Sequence, residues 1–81
     1  MSDALWVARK LAEYNLVAHE IWGDRYEVEI VPWREAVREV AAKAGCCIAD
    51  AALRTMKAAR NEAQFVMLGA AAVDLMREAD E

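Results

Sequence analysis

Apolar positions recur along this chain with two different periods. From Phe65 to Met76 they are so dense that a helix drawn through them is greasy nearly all round. Phe65, Leu68, Ala72 and Met76 make one stripe, Val66, Ala70 and Val73 a second, and Asp74 alone interrupts them. Such a helix needs cover from several neighbours. The other elements are therefore expected to surround it, and a homodimer through the second stripe is a further expectation. Upstream, Trp33, Ala36, Val37, Val40, Ala41 and Ala44 keep helical spacing. Pro32 suits the first turn of that helix, and Gly45 supplies its stop. A third helix is expected from Cys47 to Ala59, with Ile48, Ala51, Ala52, Met56 and Ala59 inward. Asn61 with Gln64 then forms a capping pair that opens the last helix, which ends near Glu78. With no Gly or Pro between residues 46 and 68, one continuous rod is the alternative.

The first third of the chain changes period. Ser2 or Asp3 can cap a helix that carries Leu5, Ala8, Leu11 and Ala12 on one face, and Asn15 is the expected stop. Val17, His19 and Ile21 then alternate with Ala18, Glu20 and Trp22. After Gly23-Asp24, Tyr26, Val28 and Ile30 alternate with Glu27 and Glu29. Period two on both sides of a two-residue turn predicts a β-hairpin. Folding it there sets Ile21 against Tyr26, His19 against Val28 and Val17 against Ile30 on an apolar face, with Glu20, Glu27 and Glu29 on the other. The competing reading extends the first helix to Trp22. The predicted fold is α+β and mostly helical: one domain of helix, hairpin and three helices around an apolar C-terminal helix. Its core is Trp6, Leu11, Ile21, Tyr26, Val28, Ile30, Val37, Val40, Ile48, Met56, Phe65, Leu68, Ala72 and Leu75.

At 81 residues the chain has room for a single core, so a large cleft is not expected. Its net charge is −4, unevenly spread. Residues 1–32 carry three basic side chains against six acidic, residues 33–60 six against three, and the remainder one against five. Two acidic regions thus flank a basic middle, and binding nucleic acid over the whole surface is opposed. Cys46 and Cys47 are adjacent, which points to free thiols in a reducing compartment. No secretory signal is visible, and no apolar run is long enough to span a bilayer, so a cytoplasmic protein is expected.

The residues exclude most catalytic chemistries. Ser2 is the only serine, Thr55 the only threonine and His19 the only histidine, so a Ser-His-Asp arrangement has no members to spare. Two adjacent cysteines and one histidine lack zinc-ligand spacing, and no glycine-rich phosphate loop exists. The chain is read as a non-enzyme without cofactor or metal. Its candidate contact surface is the acidic hairpin face: Glu20, Glu27 and Glu29, with Asp24 at the tip and Trp22 as an aromatic anchor. Carboxylates about 5 to 8 Å apart roughly imitate successive phosphates, so a basic, nucleic-acid-binding groove on another protein would accept them.

Two resemblances sharpen these expectations. Residues 40–51 resemble a bacterial helix-turn-helix, with Ala41, Gly45, Cys46 and Ala51 in the small, turn and apolar places. Arg54 departs from the pattern, standing where a further apolar residue belongs. The resemblance implies a small DNA-binding regulator that offers Arg54, Lys57 and Arg60 to DNA. In general character, short, acidic, mostly helical and without catalytic residues, the chain resembles the small inhibitors encoded by phages and mobile elements, anti-CRISPR proteins among them. That likeness implies a partner with a basic surface, such as a CRISPR effector complex in the host cytoplasm.

Overall fold

The computed structural model describes residues 3–80, with side chains from Trp6 to Ala79. The expected Ser2 cap, and the side chains of Asp3 and Leu5, lie outside the described residues. Among the described residues five helices follow one another: α1 Asp3–Trp22, α2 Tyr26–Glu29, α3 Val31–Ala44, α4 Ile48–Lys57 and α5 Glu62–Asp80. A 3-10 turn, Gly23–Arg25, joins α1 to α2. Among the described residues there is no strand.

The predicted β-hairpin is therefore absent, and the fold is all helical rather than α+β. The reason lies in the spacing of the buried side chains. Leu11, Asn15 and Ala18 are buried and Trp22 half-buried, and steps of four, three and four residues are the period of one helical face. A helix that buries this stripe gains more than an isolated hairpin, which is marginal in water. Asn15 consequently does not stop α1 but lies inside it. Beyond the turn, Tyr26 and Ile30 are the next two buried side chains, one helical turn apart, while Val28 between them points into solvent. The chain does reverse where expected, at Gly23, whose φ of 53° is left-handed.

Downstream, the sequence signals and the elements agree. Pro32 sits in the first turn of α3, and Gly45 ends it with φ 64° and ψ 33°, donating its N–H to the Ala41 carbonyl. The break between α4 and α5 is fixed by Asn61, whose Oδ1 accepts the Gln64 N–H at 2.9 Å, while Gln64 Oε1 accepts the Arg60 N–H at 3.0 Å. The continuous rod is thereby excluded.

α5 is the centre of the molecule, packed by α1, α3 and α4. Val66 to Val73 are buried throughout, so both apolar stripes are covered within one chain. A homodimer through Val66, Ala70 and Val73 has no surface left to use. Of the expected core, Leu11, Tyr26, Ile30, Val37, Met56, Leu68, Ala72 and Leu75 are buried, and Val40, Ile48 and Phe65 are half-buried against it. Trp6, Ile21 and Val28 are instead exposed.

Candidate functional site

The all-helical fold redistributes the residues of the expected acidic face. Trp22 turns inward, its Nε1–H donating to Met67 Sδ at 3.1 Å, and is not a free anchor. Glu27 pairs with Arg34 at 3.4 Å and Glu29 with Arg25 at 3.1 Å. His19, expected on an apolar face, is exposed and stacks on the Tyr26 ring with centroids 3.6 Å apart. Glu20 and Asp24 remain exposed, with no ion pair among the described residues. They stand one turn apart at the C-terminal end of α1 and in the corner that follows.

What the sequence did not show is the outer face of α1. Outside the buried stripe, spread around the rest of the helix, Trp6, Leu16, Val17 and Ile21 are 63%, 65%, 39% and 63% exposed, Trp6 beside a small pocket that Leu53, Met56 and Phe65 also line. Arg9, Lys10, Glu13 and Glu20 are interleaved with them. Lys10 lies 5.8 Å from the Trp6 ring centroid and pairs with Glu13 at 3.5 Å. α1 is therefore anchored in the core by one side while large apolar groups stand in water on the other. Single exposed apolar residues are ordinary, and four large ones on one helix are more than packing asks for. Along α1 the cations Arg9 and Lys10 lie in the N-terminal half, Glu13 at the middle and Glu20 near the C-terminal end.

A second constellation surrounds Asp74, the one acid in the apolar run. Its Oδ2 accepts the Tyr26 hydroxyl at 2.6 Å and Arg34 Nη2 and Nε at 2.8 and 3.3 Å, and its Oδ1 accepts Asn15 Nδ2 at 3.1 Å. Asn15 Nδ2 also reaches the Tyr26 hydroxyl oxygen and the Ala70 carbonyl, each at 3.1 Å. Burial first, and then the bond to the Asp74 carboxylate, push the Tyr26 phenol well above its ordinary range. Burial works against the Arg34 charge, but the Asp74 carboxylate outweighs it and raises the guanidinium further. A phenol held protonated and a cation held charged, both bonded to one carboxylate, have no proton to exchange near neutrality. The cluster ties α1, α2, α3 and α5 together.

The predicted helix-turn-helix residues fall on α3, a three-residue turn and α4. Ala51 is fully buried, and Ala41 and Cys46 are half-buried. Arg54, Lys57 and Arg60 are exposed and make no ion pair among the described residues. Both cysteines are free thiols, Cys46 half-buried and Cys47 exposed. Beside them an open apolar groove of about 430 Å³ runs between α1 and α4, lined by Val7, Ala8, Leu11, Cys47, Leu53 and Met76 among others. Among the described residues no group of His, Cys, Asp and Glu is placed to hold a metal ion, and no helix is long and apolar enough to cross a membrane. No family model matches this chain, and neither a curated protein nor a solved structure matches it.

Proposed function

We propose that this chain is a non-enzymatic protein-binding module, an adaptor or inhibitor that docks through the outer face of α1. The observation that carries it is the exposure of Trp6, Leu16, Val17 and Ile21 on a helix whose Leu11, Asn15 and Ala18 are fixed in the core. A rigid helix presenting apolar anchors loses little conformational freedom on binding. Glu13, Glu20 and Asp24 beside those anchors favour a partner that brings positive charge. An inhibitor of the anti-CRISPR kind, seated on a cationic protein groove, would use this face. The acidic reading thus moves from Glu27 and Glu29, which have intramolecular partners, to the end of α1.

A second reading has its own observation. Gly45 takes the left-handed conformation in a three-residue turn between two helices, and Arg54, Lys57 and Arg60 stand exposed beyond it. This is the arrangement a small DNA-binding regulator uses. Three cations on a chain of net charge −4 make it the weaker of the two, since duplex binding draws on phosphate neutralisation.

One set of measurements separates the readings. The tagged protein and a Leu16→Ser/Ile21→Ser/Glu20→Lys variant are used to capture partners from the source cell's lysate across a salt series. We expect the variant to keep its far-UV circular dichroism and to lose its partner by about tenfold or more, with capture by the parent weakening as salt rises. An unchanged set of captured proteins overturns the α1 surface. A gel shift with genomic fragments that Arg54→Glu/Lys57→Glu abolishes would move the function to α4.

A further inference from the structure

We draw no further inference here: the strongest candidate, the open apolar groove between α1 and α4 that Val7, Leu11, Leu53 and Met76 line, carries nothing, because the charged groups beside it, Lys10 and Asp50, are of opposite sign and nothing in the structure shows what covers it.

Discussion

Asp74 is the residue on which the packing of the other elements converges. Placing a carboxylate in an otherwise apolar helix is costly unless its oxygens are paired. Here Tyr26, Arg34 and Asn15 together supply every buried donor it needs, and among the described residues no buried side-chain polar atom lacks a partner. Removing one member leaves the others half-satisfied, which costs more than the single bond is worth. Tyr26→Phe is therefore expected to lower stability by about 1–2 kcal/mol near neutral pH, read as a shift in the denaturant midpoint. It should also change the pH dependence. The Tyr26 phenol is raised in the folded chain above its ordinary value of 10.0, so the folded state keeps a proton that the unfolded state releases. The stability this gives is complete below pH 10 and is lost as pH rises from there through the folded value. Denaturation measured upward from pH 9 should show an alkaline loss in the parent that is shallower in Tyr26→Phe. Equal slopes would mean that this phenol is not the titrating group.

At the scale of elements, Gly69 shows why α5 can sit at the centre. A Cβ built there would stand 2.8 Å from Tyr14 Cδ2 and 3.2 Å from Tyr14 Cβ, so α1 crosses α5 where α5 has no side chain. The Tyr14 ring cannot yield easily, being held edge-on to Phe65 with centroids 5.3 Å apart. Gly69→Ala gains about 1 kcal/mol in helix propensity and is expected to lose about 1–3 kcal/mol to overpacking. A net fall in thermal midpoint is the anticipated result, and a rise would show that α1 can shift. The sequence carried the central role of α5 and the ends of α3 and α5, because Pro32, Gly45, Asn61 and Gln64 act on the backbone next to them. It misled at α1, where apolar side chains occupy both faces and the helical period is blurred. Val17 and Ile21 belong to the outer surface, and taking them as inward produced the alternation of a strand. Asn15 misled for a related reason, since its buried role depends on Asp74, 59 residues away. The interruption by Asp74 was visible, and a lone acid in an apolar run does signal distant partners; which residues they are is decided by tertiary packing alone.

For the whole molecule, the arrangement around α5 sets how it comes apart. Among the described residues the backbone of α1 approaches α5 and the α2 corner but neither α3 nor α4, so α1 is joined to those two chiefly through α5 and the Asp74 cluster. Neither half of the chain has a core of its own. Leu11 from α1, Val37 from α3 and Met56 from α4 are all buried within the one hydrophobic cluster that α5 completes. Unfolding should therefore be a single cooperative transition, with nothing left folded when any one helix leaves. Leu11→Ala, Val37→Ala and Met56→Ala are each expected to cost about 2–4 kcal/mol and to move the whole transition together. Helix content and tryptophan fluorescence, reporting on Trp6 and Trp22 in α1 and Trp33 in α3, should give coincident midpoints in every variant. A Leu11→Ala protein whose fluorescence changed well before its circular dichroism would show α1 detaching from a folded remainder. α5 would then be the centre of a three-helix core to which α1 is an appendage, and a surface carried on α1 could not be the rigid face that docking requires.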